Sequence, residues 1–373
     1  MAYRYLGNKA RLANVIVGAV REMAPPGARV ADPMCGTATV ADHLATAGYR
    51  VVAADELTFP VLHARVRLLC DGEPAFAGLG GYDEAVATLN SLRPVEGFFC
   101  AEYGDAGVPR NGCRPRRYFT GENARRIDAV REELGSWRAH GRLTDSEHGL
   151  LTHDLIMAVN RVANIAGTYG YYRSSWNRAA LQPLLLRPST LPTGRRGHSV
   201  HQGRVEDLVG TMEADVLYLD PPYTKRQYAG NYHILETLAA ADEFDPVGEG
   251  GLRDWYGQYS AFCSKRLARD AFRTVLERNT ARWILLSYSE DGVVPPEDLV
   301  ALLSEYGDVS RRDITLPRFR SNGGPTRSVT EHLYCVDTAK APRRTAGWPA
   351  SAPRSSSDRR TRAPRVSALH HCR

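Results

Sequence analysis

Apolar residues recur along this chain with two periods. Leu12, Val15, Ile16, Val20 and Met23 lie three to four positions apart, which predicts an amphipathic helix over residues 9–23. Pro25 and Pro26 end it, because proline lacks the N–H a helix needs and its ring clashes with the preceding turn. A short strand ("ARVAD"), a tight turn ("PMCGTAT"), a helix ("VADHLATA") closed by Gly48, and a second strand ("RVVAAD") follow. Strand, helix and strand in that order form one right-handed βαβ unit, the seed of a parallel sheet. From residue 56 to 197 the alternation stops and helical stripes replace it: Ala124, Ile127, Val130, Leu134 and Trp137, then Leu151, Leu155, Val159 and Val162. Strand-like runs return in "DVLYL" and "RWILLSY", followed by a helix over 297–305 and two strands around "DITLPRF" and "TEHLYCV". That last pair, joined through "RSNGGPTR", reads as a hairpin at the sheet edge. The expected fold is α/β and Rossmann-like, built from residues 1–55 and 198–337, with a mainly helical insertion over 56–197.

Charge changes this picture only where it is local. The net charge is +6, but residues 338–373 hold nine Lys or Arg against one acidic residue, or +8, so the other 337 residues sum to 6 − 8 = −2. That tail is rich in Pro, Ser, Ala and Arg and offers little to bury, which predicts disorder; an incidental extension and a non-specific DNA tether remain equal readings. Within the body, residues 161–200 carry six Arg and no acid, and residues 108–126 six Arg and one Glu. No run of 18 apolar residues occurs and the N-terminus is polar, so a cytoplasmic protein without membrane partners is expected. The seven cysteines include no C-x-x-C pair, which argues against a disulfide framework or a metal site.

The turn after the first strand opens a helix, so it presents free N–H groups to an anionic or polar ligand. "DPMCGTA" has the single Gly36 instead of the G-x-G-x-x-G that cradles a dinucleotide pyrophosphate. Asp55 ends the second strand, placed to accept hydrogen bonds from two ribose hydroxyls. One close-packed glycine and an acid suit an adenosine without pyrophosphate, as in S-adenosylmethionine.

"DVLYLDPPY" then puts Asp220 at the carboxyl end of a sheet strand, on the same edge as Gly36 and Asp55. Pro221 and Pro222 fix the backbone into a corner whose carbonyls are free. The Asp220 carboxylate and Pro221 carbonyl thus form two adjacent acceptors, matched to an exocyclic amine with two hydrogens. The lone pair of such an amine is delocalised into its ring; angled acceptors draw it out and stabilise the charge that develops on nitrogen. Tyr223 supplies a face for an extruded base, a stacking interaction worth roughly 1–3 kcal/mol.

"YLGNK" (5–9), "DPMCGTA" (32–38), "AADE" (53–56), an insert, and "ADVLYLDPPY" (214–223), in that order, resemble the Dam-like and FokI-like class alpha DNA adenine-N6 methyltransferases. "FTGENARRIDAVREE", "RVANIAGTYGYY", "RQYAGNYHILETLA" and "SAFCSKR" extend the likeness from about residue 3 to residue 336. The resemblance implies that Tyr5 and Lys9 bind the methionine end of S-adenosylmethionine. It places Asp32 and Gly36 in the cofactor loop, Asp55 on the ribose and Asp220 beside both cofactor and target amine. Pro221, Pro222 and Tyr223 complete the catalytic motif. The chain departs from the family at Ala38, where a second glycine is usual, and at Arg204, where an acid is usual; Glu206 or Asp207 substitutes, or that contact is absent.

The insert resembles the family's target-recognition region. Tyr169, Tyr171, Tyr172 and Trp176 interleave with Arg173, Asn177 and Arg178, a mix suited to phosphates, base faces and base edges. Arg110, Arg114, Arg116 and Arg117 are further phosphate candidates, and Lys225 and Arg226 follow the catalytic corner directly. The resemblance implies a monomeric, metal-free, site-specific methyltransferase acting on flipped adenine in double-stranded DNA, with or without a cognate restriction endonuclease. N4 of cytosine or an RNA base as acceptor, and a DNA-binding module without turnover, stay open as alternatives.

Overall fold

A computed structural model describes residues 5–317 and 328–340. The expected "RSNGGPTR" junction and the tail beyond residue 340 lie outside the described residues. Elements run α1 (Ala13–Met23), β1 (Arg29–Asp32), α2 (Thr39–Thr46), β2 (Arg50–Asp55), α3 (Thr58–Leu68), α4 (Tyr82–Ser91), α5 (Phe98–Tyr103), α6 (Gly121–Ala139) and α7 (Asp145–Val162). They continue as β3 (Ser199–Gln202), α8 (Val205–Leu208), β4 (Val216–Leu219), α9 (Tyr228–Asn231), α10 (His233–Ala240), α11 (Ala268–Arg278), β5 (Trp283–Ser289), α12 (Pro296–Ser304), β6 (Asp308–Pro317) and β7 (Ser328–Asp337).

The strands form one seven-stranded sheet in the order β3-β2-β1-β4-β5-β7-β6. β1 to β5 are parallel, and β7 inserts antiparallel between β5 and the edge strand β6. The order reverses between β1 and β4, and there the sheet opens a crevice at its carboxyl edge.

Central strands are apolar through their middles on both faces, because both faces are covered. Val30, Val51, Val216, Tyr218, Leu285 and Leu333 point to one side, against Leu12, Ile16 and Val20 around α1 and Val40 and Leu44 of α2. Their neighbours Ala31, Val52, Leu217, Leu219, Ile284, Leu286 and Tyr334 point to the other, against Phe272 and Val275 of α11 and Leu299 and Leu302 of α12. A third core holds the helical region together around Phe99, Tyr118, Trp137 and Leu155. Thr120 caps α6 and a Thr144–Glu147 capping box starts α7, which fixes where these helices begin.

The helical core is not confined to 56–197. Ala229, Tyr232, Ile234, Leu235 and Leu238 of α9, α10 and the residue between them belong to it, and Tyr5 packs against it. α3, for its part, is the crossover between the parallel neighbours β2 and β3. The first helix also starts later than its apolar spacing suggests, at Ala13, and residues 9–12 form a turn closed by the Leu12 N–H to the Lys9 carbonyl at 2.8 Å.

Candidate active site

Asp32 closes β1, Asp55 closes β2 and Asp220 follows β4, so three carboxyls meet at the crevice. They line one cleft with Tyr5, Lys9, Gly36 and Pro222, enclosing about 980 Å³ of free space including its open mouth. The loop after β1 is pinned to β2 twice. The Cys35 N–H donates to the Ala54 carbonyl at 2.9 Å, and the Gly36 N–H donates to Asp55 Oδ2 at 3.0 Å. Asp55 Oδ1 accepts from the Leu57 N–H at 3.0 Å. Gly36 has φ +50°, and a Cβ there would meet the Tyr5 ring at 3.0 Å, so only glycine lets that ring close over the loop. Ala38 is also left-handed, at φ 55°, in the position where the family's second glycine would remove that strain.

Because residues 9–12 turn instead of continuing α1, Lys9 points inward and is 6% exposed. Its Nζ lies 3.0 Å from Asp220 Oδ1 and 2.8 Å from Glu331 Oε1, and 5.2 Å from the centre of the Tyr223 ring. Ser287 Oγ donates to the same Glu331 oxygen at 2.6 Å. Burial works against the Lys9 charge, but the Asp220 and Glu331 carboxylates outweigh it and hold the ammonium above the ordinary lysine range. Burial pushes Asp220 up to about 7, with Glu331 adding to the shift and Lys9 opposing it. Asp55 is likewise raised to about 7 by burial, against its two backbone hydrogen bonds. Asp32, 1% exposed, is raised by burial and then by Asp220 and Asp55.

This carboxyl-rich cleft asks for a cation. Among the described residues Asp32, Asp55, Glu56, Glu206 and Asp220 line it, against Lys9 and Arg204. Asp32 Oδ1 is buried with no hydrogen-bond partner among the described residues. A ligand with an ammonium and a sulfonium, an adenosine and no pyrophosphate matches those features: Asp32 for the ammonium, Asp55 for the ribose, and the glycine turn for close approach. Of the two acids near Arg204, Glu206 lines the cleft, bonded to Arg204 at 3.4 Å, while Asp207 faces Arg278 at 4.0 Å.

At the corner, Pro222 lines the cleft and Pro221 is buried behind it. Among the described residues no donor reaches the Pro221 carbonyl. Tyr223 does not line the cleft; its ring meets Tyr288 edge-on at 6.0 Å and backs the Lys9 ammonium. Lys225 and Arg226 are exposed just beyond it.

In the helical region Arg173 and Arg178 are exposed, with side chains free to meet a phosphate. Asn177 is different. Its Nδ2 donates to the Ala163 carbonyl and Asn164 Oδ1, and its Oδ1 accepts from the Ala180 N–H, so both ends of the amide are bonded within the loop and its flank instead of being turned to a base edge. Arg116 corrects the idea of four exposed arginines: it is fully buried, 2.6 Å from Glu102, and bonded to the Glu249 carbonyl. Tyr169 is core, while Tyr171 is half exposed and stacks on Tyr172 at 4.5 Å.

Sequence reasoning missed Glu331, Ser287, Glu236 and Gln258. Glu236 accepts from the Thr58 and Phe59 N–H groups, capping α3 just past Asp55, and Gln258 Nε2 reaches it at 3.3 Å from the cleft wall. A carboxyl inside an apolar helix ("HILETLA") or strand ("TEHLYCV") was the available signal.

Residues 5–290 match the family described as D12 class N6 adenine-specific DNA methyltransferase. The chain is 32% identical to the Type II methyltransferase M.FokI of Planomicrobium okeanokoites over 310 residues, 82% of this chain and 47% of that one. It is 30% identical to the Type II methyltransferase M.NlaIII of Neisseria lactamica over 259 residues, 68% of this chain and 75% of that one. It thus spans about half the length of M.FokI and three quarters of M.NlaIII. Among solved structures, a magnesium protoporphyrin IX methyltransferase from Synechocystis PCC 6803 aligns over 89% of this chain and 80% of that one at 10% identity; with a TM-score of 0.32 that likeness carries no weight.

Proposed function

Because the chain belongs to the D12 class of N6 adenine-specific DNA methyltransferases, we propose that it methylates the N6 amino group of adenine at a specific site in double-stranded DNA, using S-adenosylmethionine, after the base is flipped into the cleft. The supporting observation is the placement of Asp220: it shares one cleft with Asp32, Gly36 and Asp55, and Lys9 binds it at 3.0 Å.

S-adenosylmethionine, when bound, supplies a methyl group made electrophilic by a sulfonium sulfur. Asp32 and Lys9 hold its methionine end with Tyr5 closing over the loop, and Asp55 holds its ribose. The Asp220 carboxylate and Pro221 carbonyl accept the two hydrogens of the amine. Pulling on both draws the lone pair out of the ring and stabilises the positive charge that would build on nitrogen as the C–N bond forms and the methyl–sulfur bond breaks, before one amine proton leaves to solvent. The Lys9 ammonium opposes the upward push that burial gives Asp220 and so favours the ionised carboxylate, the state that accepts. Tyr223, packed edge-on against Tyr288, stands behind the corner and backs the Lys9 ammonium.

Residues 1–55 and 198–337 act as the catalytic body and 56–197 as the target-recognition region. Exposed Arg173, Arg178, Lys225 and Arg226 neutralise phosphates. In this reading the protein acts as a monomer in the cytoplasm, with or without a cognate restriction endonuclease. Among the described residues no helix is long and apolar enough to cross a membrane.

The test is nucleoside analysis of unmethylated DNA after incubation with the protein and S-adenosylmethionine. N6-methyladenine is expected. N4-methylcytosine alone would overturn the acceptor assignment, and no modified base in DNA would overturn the reading.

A further inference from the structure

Residues 253–259, "RDWYGQY", border the cleft just ahead of "SAFCSKR" without belonging to any of the motifs above. Three of their rings form a ladder. Tyr256 stacks on Trp255 at 5.0 Å with 21° between the planes, and Trp255 on Tyr259 at 6.5 Å with 17°. Trp255 is the anchor: it packs on the helical core, and a Cβ on Gly230 would sit only 3.1 Å from its Nε1. Tyr256 is the open end, 71% exposed. A large ring held parallel to its neighbour yet left in water contributes little to the fold and leaves one flat face unused.

Two links hold the ladder against the chemistry. The Gln227 side chain bonds the Ser260 backbone twice, Nε2 to the carbonyl at 3.0 Å and Oε1 from the N–H at 2.8 Å, which ties the ladder to the segment carrying the exposed Lys225 and Arg226. Gln258 and Ser260 themselves line the cleft.

We infer that the Tyr256–Trp255–Tyr259 ladder is a stacking platform for a nucleobase of the bound duplex, beside the position vacated by the flipped base, with Lys225 and Arg226 on the flanking phosphates. The inference rests on the methyltransferase reading above. An aromatic face accepts any base, since every base has a π-face, so the ladder adds affinity without adding sequence preference. Its partner is DNA because the Gln227–Ser260 bonds tie the segment of the open ring to the segment of the two cations, and Gln258 and Ser260, between and beside the rings, line the cleft.

The test uses the full chain, Tyr256→Ala and Tyr256→Phe, and a short duplex carrying the site found by sequencing methylated DNA. Duplex affinity is read by fluorescence anisotropy at fixed salt, and KM for DNA by methyl transfer. Tyr256→Ala is expected to weaken both by ~5- to 150-fold, the range that base–aromatic stacking spans, with S-adenosylmethionine affinity unchanged. Tyr256→Phe keeps the ring and is expected to match wild type. An alanine variant that binds the duplex like wild type would overturn the inference, as would a phenylalanine variant that loses as much as alanine. If wild type transfers no methyl group to DNA, the reading of the cleft fails, while the anisotropy comparison, run on a duplex of arbitrary sequence, still decides the ladder.

Discussion

Replacing Lys9 by methionine keeps the volume of the stem and removes its charge from between Asp220 and Glu331. With Nζ at 3.0 and 2.8 Å from the two carboxylates, each attraction amounts to about 5–6 kcal/mol at an effective dielectric constant of about 20. Part of that sum offsets the cost of burying the lysine itself, so the expected net loss of stability is about 3–5 kcal/mol, the usual result of removing one member of a buried ionic group. The loss depends on pH, and the direction follows from linkage. Asp220 titrates at about 7 even with Lys9 present. Without the ammonium, its pKa rises further and the pair of acids holds a proton. Above pH 7 wild-type Asp220 is ionised and its stability is level, while the variant still holds that proton and goes on losing stability relative to the unfolded chain, so the penalty grows as pH rises from 6 to 8. Urea unfolding of both proteins at pH 6 and 8 measures it. The alkaline shift should also appear in methyl transfer, because only ionised Asp220 accepts the amine hydrogens. An equal loss of stability at both pH values, or a pH–rate limb that stays in place, would refute the reasoning.

Since Asp55 and Asp220 are both raised to about 7, S-adenosylmethionine affinity should increase with pH up to about 8 and level off, with protons released on binding; S-adenosylhomocysteine, lacking the sulfonium charge, should respond less. Calorimetry in buffers of different ionisation heat checks this, and a flat profile would contradict it. By the same linkage the cofactor-free protein loses stability as pH climbs from about 4 through 7, because the folded state holds these protons more tightly than the unfolded chain. Gly36→Ala forces a Cβ against the Tyr5 ring at φ +50°, so it should cost about 1–2 kcal/mol and weaken cofactor binding, read by melting with and without cofactor. Asn177→Ala should lower stability by about 1–3 kcal/mol by orphaning the loop's polar groups, whereas Arg178→Ala should leave stability alone and reduce the salt slope of DNA binding by about one.

The sheet was legible where it is buried. β2 falls on the six residues of "RVVAAD", and β1, β4 and β5 lie within one residue of their apolar runs, because strands covered on both faces show no polar interruption. β3 was not, since "SVHQ" is a half-exposed edge strand with no apolar signature. Motif spacing found the acids of the cleft edge, which depend on position along the chain. It could not find Glu331, 322 positions from Lys9, because that contact depends on the antiparallel insertion of β7 beside β5. Residue type also says nothing of burial: Arg116 and Arg117 are neighbours in one basic run, yet one is an internal ion pair with Glu102 and the other is exposed. The Asn177 amide was misjudged for the same reason, its partners being set by how the loop folds back on Asn164.

Methyl transfer by the proposed route requires Asp220 to grip the acceptor amine from within the cofactor cleft. Transfer of tritiated methyl groups to unmethylated DNA by wild type and Asp220→Ala, under single-turnover conditions with cofactor binding measured in parallel, tests it directly. The account predicts labelling of adenine by wild type and a loss of about 10²- to 10³-fold or more in the variant. A variant that labels DNA at the wild-type rate would contradict it.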